Sequence, residues 1–148
     1  MRALFLVNRP RRLDGAPTTR ALVLRSAERF PTWVCACTDL GSSGFTFRVI
    51  ARRVHPDGTI GRPESIDQTD LDVVLVRANP LTQTKSWAWD HALTCLEQAT
   101  ALGLPVRNDP VALRTFASKP GLLLLSESVR PPTVLTARVD TVLQAVGA

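Results

Sequence analysis

The chain has 148 residues, 45% hydrophobic and 21% charged, with 18 basic against 13 acidic side chains. That balance suits one folded domain and excludes a disordered chain, and a domain of this size buries roughly 68–70% of its unfolded surface without help from disulfides or a metal. The net charge of +5 and a pI near 10.1 permit anionic partners without naming one.

Sixteen of the cations are arginine and only Lys85 and Lys119 are lysine, so the basicity is scattered guanidinium and not a lysine-rich tail. Arg9, Arg11 and Arg12 cluster after the first apolar run, and Arg48, Arg52 and Arg53 fall in a middle segment. Their ordinary reading is solvated surface charge, with an anion or nucleic-acid patch as the rival. Three cysteines, Cys35, Cys37 and Cys95, are too few and odd in number for a disulfide framework, which points to a reducing, cytoplasmic compartment. No apolar run approaches the roughly 18 residues of a membrane helix, and Met1-Arg2 before a short apolar run makes a poor signal peptide.

In chain order, Ala3-Leu4-Phe5-Leu6-Val7 is a continuous apolar run bounded by Asn8 and Pro10, as expected of a strand buried on both faces of a parallel sheet. Thr18 or Thr19 is placed to cap a helix running to about Phe30, with Ala21, Leu22, Leu24, Ala27 and Phe30 on its apolar face and Pro31 ending it. Trp33 to Cys37 predicts a second buried strand, completing a β-α-β unit. Gly41 to Gly44 predicts a flexible turn, and Phe45 to Val54, then Pro56-Asp57-Gly58 and Thr59-Ile60-Gly61, predict a hairpin.

Leu71 to Arg77 predicts another buried strand, with Arg77-Ala78-Asn79-Pro80 at its carboxyl end, where open α/β sheets bind ligands. Ser86 to Ala101 has helical spacing through Trp89, Leu93, Leu96 and Ala99, and Gly103 fits the position just past its end. Leu104 to Asn108 predicts a short strand, and Asp109-Pro110 opens a helix with Leu113 and Phe116 facing inward. Beyond it, Gly121 to Ser126 is apolar, Val129-Arg130-Pro131-Pro132 is a stiff connection, Thr133 to Thr136 reads as a strand and Asp140 to Val146 as the start of a helix.

Several chemistries fail on inventory. His55 and His91 stand in a turn and on a helix, without the Cys/His spacing of a zinc site, and Cys35 and Cys37 read as core packing. Gly41-Ser42-Ser43-Gly44 lacks the Gly-Lys-Ser/Thr ending of a P-loop, no G-x-G-x-x-G follows the first strand, and there is no G-x-S-x-G elbow. Trp87 and Trp89 read as helix-face packing and rim, not as a base-stacking platform.

The order of features from Asp70 onward is more specific. Asp70-Leu71-Asp72-Val73-Val74-Leu75-Val76-Arg77-Ala78-Asn79-Pro80, a helix, Val106-Arg107-Asn108-Asp109-Pro110 with Leu113-Arg114 and Lys119, then Pro131-Pro132-Thr133-Val134-Leu135-Thr136, resembles the amino-terminal part of prokaryotic glutathione synthetase. Asn8-Arg9-Pro10, Thr18-Thr19 and Thr38-Asp39-Leu40 fit the same register. The resemblance implies an α/β, Rossmann-like pre-ATP-grasp domain, with a mainly parallel central sheet flanked by helices and a β-hairpin insertion. Residues 1–131 would form it, and 132–148 would begin the connection to an ATP-grasp domain.

The resemblance further implies a substrate-binding domain of an ATP-dependent carboxylate-amine ligase, inactive alone, with a small peptide or amino acid bound through Arg77, Asn79, Asn108 and Thr18. It implies that Lys119 reaches toward ATP phosphates. ATP and Mg2+ would serve the full-length ligase and not be bound by this chain alone, and the partners would be an ATP-grasp domain in cis or trans and a second copy in a homo-oligomer. Two departures stand out: the family's Arg-Lys-Asp-Pro is Arg77-Ala78-Asn79-Pro80 here, and its Asn-Lys-Pro is Asn108-Asp109-Pro110. The alternatives are a stand-alone module working with a separate ATP-grasp chain, or a basic nucleic-acid-binding protein. No membrane partner is expected.

Overall fold

The computed structural model describes residues 1–13, 17–80, 85–116, 124–126 and 128–129. Two compact units divide the chain, Met1–Leu113 and Arg114–Ala148. In the second, the described residues include a turn in which Val129 N–H donates to the Ser126 carbonyl at 3.1 Å and the Ser126 and Ser128 hydroxyls share a 2.8 Å bond. The predicted strand at Thr133–Thr136 and helix from Asp140, the side chain of Phe116, and Lys119 lie outside the described residues.

The first unit is built on a seven-stranded sheet. Strand β1 (Ala3–Leu6) lies between β2 (Thr32–Cys35) and β6 (Val73–Val76), and β7 (Val106–Arg107) pairs with β6, all four parallel. Strands β1, β2 and β6 are the continuous apolar runs of the sequence, which need cover on both faces. The cover divides by alternation along β1. Ala3, Phe5 and Val7 join Val23 and Ala27 of helix α1 (Pro17–Ala27), while Leu4 and Leu6 join Ala88, Ala92, Leu96 and Ala99 of helix α2 (Ser86–Ala101) on the other face. The fold is therefore α/β and Rossmann-like, with helices on opposite faces.

Helix α2 has the predicted bounds, and it ends where Gly103 takes φ +87° and its N–H donates to the Thr100 carbonyl at 2.9 Å. Helix α3 (Pro110–Phe116) begins at the predicted proline, with the Asp109 carboxylate accepting from Ala112 N–H at 2.7 Å.

The structure corrects three expectations. Helix α1 starts at Pro17 and ends at Ala27, so Thr18 lies in its first turn and not at its cap; Thr19, Val23 and Ala27 are its buried residues, and Leu22 is exposed. Proline at the first helical position explains the earlier start, since its missing N–H would have no partner there. The expected hairpin forms as β4 (Thr46–Val54) and β5 (Ile60–Asp67), but a further strand, β3 (Leu40–Ser43), extends it to a three-stranded antiparallel meander. It joins the parallel strands through β2 and β4, and the Gly41 to Gly44 turn is mostly β3, with Gly44 alone of that segment at φ +57°. The third correction follows from the second: Cys37 sits in a short 3-10 turn (Cys37–Asp39) and not in β2, although both Cys35 and Cys37 are buried and free as read.

Among the described residues no helix is long and apolar enough to cross a membrane.

Candidate functional site

The chain leaves β1 through α1 to β2 on one side, and β6 leaves through α2 to β7 on the other. The winding reverses between β1 and β6, and in such sheets the two following loops part at that point to leave a crevice outside the carboxyl ends. Here those loops are Val7–Pro10 and Arg77–Pro80.

The two loops are joined by hydrogen bonds that continue the sheet. Val7 N–H donates to the Cys35 carbonyl and Arg77 N–H to the Leu6 carbonyl, each at 2.9 Å. One residue further, the Asn8 amide makes a two-point bridge: its Nδ2 donates to the Asn79 carbonyl at 2.8 Å and its Oδ1 accepts from Asn79 N–H at 2.6 Å. A side-chain amide thus imitates a strand, extending the β1–β6 pairing beyond the last paired residues. At the next strand end, Asn108 Nδ2 donates to the Val76 carbonyl at 2.7 Å. Asn108 has φ 63°, a left-handed conformation that asparagine tolerates better than most side chains, and this turns the chain from β7 into α3.

Arg77 is exposed at the carboxyl end of β6, as required of a residue that meets a ligand there, and no ion pair engages it among the described residues. Asn79 is exposed and contributes its backbone to the Asn8 bridge. Asn108 is exposed apart from its amide bond, and Thr18 is exposed on the first turn of the helix that follows β1. Four of the five sequence-derived positions therefore stand at one edge of the sheet.

Helix α2 also begins at this edge. The Lys85 ammonium lies 5.4 Å from the centroid of the exposed Trp87 ring, which meets His91 edge-on at 5.9 Å. His91 Nε2 is in turn 2.9 Å from the Leu40 carbonyl.

Arg77, Lys85 and Arg107 are exposed cations near this edge, and the nearby carboxylate of Asp109 is engaged in the α3 cap. A planar guanidinium with free N–H donors can hold a carboxylate in bidentate fashion. The buried thiols offer no alternative chemistry: burial pushes Cys35 well up, and pushes Cys37 to about 11, with the Asp39 charge adding to both. Burial raises Cys95 as well. Among the described residues no cluster of three or more histidine, cysteine or acidic side chains could hold a metal ion.

In the sequence Asn8 is only a register mark. Its bridging role was signalled by nothing but its place directly after a buried strand. A second feature that escaped notice is a cleft on the α1 side of the sheet, where Arg52 meets the Arg9–Arg12 loop.

No family model matches the chain. Over 144 residues, 95% of the chain, it is 29% identical to the glutathione synthetase of Prochlorococcus marinus (strain MIT 9313), covering 46% of that protein. Over 147 residues, 97% of the chain, it is 29% identical to the glutathione synthetase of Parasynechococcus marenigrum (strain WH8102), covering 47% of it. The chain spans about half the length of these curated relatives. The chain is therefore an α/β domain similar along nearly its whole length to about half of a glutathione synthetase.

Proposed function

We propose that this chain is the substrate-binding, pre-ATP-grasp part of a glutathione synthetase-like ligase that joins a carboxylate to an amine at the expense of ATP. The observation that carries the reading is the coincidence of two facts: the chain is similar to glutathione synthetases over nearly all its residues, and Arg77 stands exposed at the carboxyl end of β6, beside the switch-point crevice. In this reading Arg77 grips a carboxylate of a small γ-glutamyl peptide, and Asn8, Asn79 and Asn108 hold the loops beside it in register. Thr18 lines the crevice from the start of α1, and residues 1–131 form the domain.

ATP and Mg2+ belong to the ATP-grasp region, supplied in cis or in trans, and Lys119 would approach the phosphates. Activation of the carboxylate needs phosphoryl transfer, which depends on positioned cations and metal ions. The role of this chain is to bind and orient the acid so that its carboxylate meets the phosphate, which is the positioning share of catalysis.

The test is ATP turnover with γ-glutamyl dipeptides and small amines, with this chain joined to or mixed with an ATP-grasp region. Amine- and dipeptide-dependent ADP release that falls at least about tenfold with Arg77→Ala, the loss of one charge-assisted contact, supports the reading. Equal rates for the two proteins would remove Arg77 from the site.

A further inference from the structure

The four residues Arg9, Arg11, Arg12 and Arg52 come from two segments of the sequence and line one cleft of about 600 Å³. Sheet register explains the meeting. Val34, Arg52 and Pro63 are aligned across β2, β4 and β5, so Arg52 projects from the face on which Val34 packs toward α1. Ile50 lies two residues earlier on the same face and is exposed. The Arg9–Arg12 loop that follows β1 closes the cleft from the carboxyl end of the sheet, and Pro10, Ala36, Ile50 and Pro63 supply its apolar wall.

One carboxylate, Asp39, lines the cleft with these guanidinium groups, and it already accepts from Ala36 N–H at 2.9 Å. Among the described residues none of the four arginines is in an ion pair, although Arg2, Arg25 and Arg48 elsewhere in the unit are. Arg52 is half-buried and held by a 3.2 Å bond from Nη1 to the Gly61 carbonyl, which fixes the direction of its remaining donors. Like charges brought together at a concave surface repel one another and strengthen the local field, and a bound anion relieves that repulsion. The volume lies within the roughly 300–1,000 Å³ of small-molecule sites.

We infer that this cleft is a binding site for a small molecule carrying more than one phosphate group. Arginine is suited to this ligand because its planar fork meets two phosphate oxygens at once, and a multiply charged anion balances the excess of guanidinium over carboxylate. The cleft shares Arg9 and Pro10 with the loop after β1, but Arg77 does not line it, so Arg77→Ala distinguishes binding here from the peptide reading.

Tripolyphosphate titrated into the full chain by calorimetry at low salt tests the inference. Saturable binding at one site is expected, weakening as salt is added. Arg52→Gln and, separately, the loop variant Arg12→Gln should each weaken it about tenfold or more, the effect of losing one charge-assisted contact. Arg29→Ala, at an exposed position after α1, and Arg77→Ala should leave it unchanged. The loop variant keeps the test valid if Arg52→Gln fails to fold. Absence of saturable binding, an equal loss with Arg29→Ala, or a loss with Arg77→Ala in place of Arg12→Gln would overturn the assignment. Tight binding of single-stranded oligonucleotide without saturable tripolyphosphate binding would overturn it in favour of a nucleic-acid surface.

Discussion

Asn8→Ala removes the bridge that ties together the two loops at the switch point. Both of its hydrogen bonds are lost, the 2.8 Å donation to the Asn79 carbonyl and the 2.6 Å acceptance from Asn79 N–H. A hydrogen bond contributes about 0.5–1.5 kcal/mol net, and because both of these lie near solvent, water replaces part of the loss. The expected cost is therefore about 1 kcal/mol in all, at the low end for two bonds. For a protein of this size that lowers the melting temperature by about 3 °C.

Asn8→Asp sharpens the test. Its carboxylate still accepts from Asn79 N–H but places a negative charge against the Asn79 carbonyl, so it should destabilise at least as much at neutral pH and recover in acid as the carboxyl gains a proton. The assay is urea unfolding of the three proteins followed by far-ultraviolet circular dichroism. A cost for Asn8→Ala within about 0.3 kcal/mol of zero, as for an ordinary surface change, would refute the bridge.

Further outcomes follow from the same structure. Asp72 accepts from the Arg2 side chain and its backbone N–H, which hold its carboxyl below the ordinary 3.8. A depressed carboxyl stabilises the fold above its unfolded value and loses that contribution as pH falls through the folded one, so Asp72→Asn should be less stable than the parent at neutral pH and the gap should close in acid. Urea midpoints across that range check this, and a gap unchanged with pH contradicts it. With burial raising all three thiols, Cys35, Cys37 and Cys95 should resist iodoacetamide at neutral pH and react after unfolding; rapid labelling of the native chain, read by mass, would show the burial to be wrong. Leu96→Ala, at a fully buried position of α2, should cost about 2–5 kcal/mol in urea unfolding, and a cost near that of a surface change would put Leu96 outside the core.

What the sequence shows directly is what short-range rules govern. The parallel strands are readable because burial on both faces forces continuous apolar runs, and α2 because its spacing, its glycine at positive φ and its neighbours agree. The meander is less readable. β3 is Leu40-Gly41-Ser42-Ser43, with little strand preference, and it exists as a strand because it pairs with β4. β5 carries Pro63, Arg62 and Glu64, which suit an edge strand and obscure its period. In α1 the buried Thr19 and exposed Leu22 defeat a simple apolar count.

The site divides in the same way. The place of Arg77 at a strand end of a doubly wound sheet is readable from the chain order, whereas Asn108 is singled out only by the resemblance. The meeting of Arg52 with Arg9, Arg11 and Arg12 depends on the antiparallel register of β2 with β4, which no local pattern reveals.

The central claim is that the switch-point crevice binds the acid substrate through Arg77. Calorimetric titration of the chain with a γ-glutamyl dipeptide, for the parent and Arg77→Ala, tests it most directly. Saturable binding that weakens about tenfold or more in the variant, while the unfolding midpoint is unchanged, is the result this structure predicts. Binding of equal strength in both proteins would contradict it.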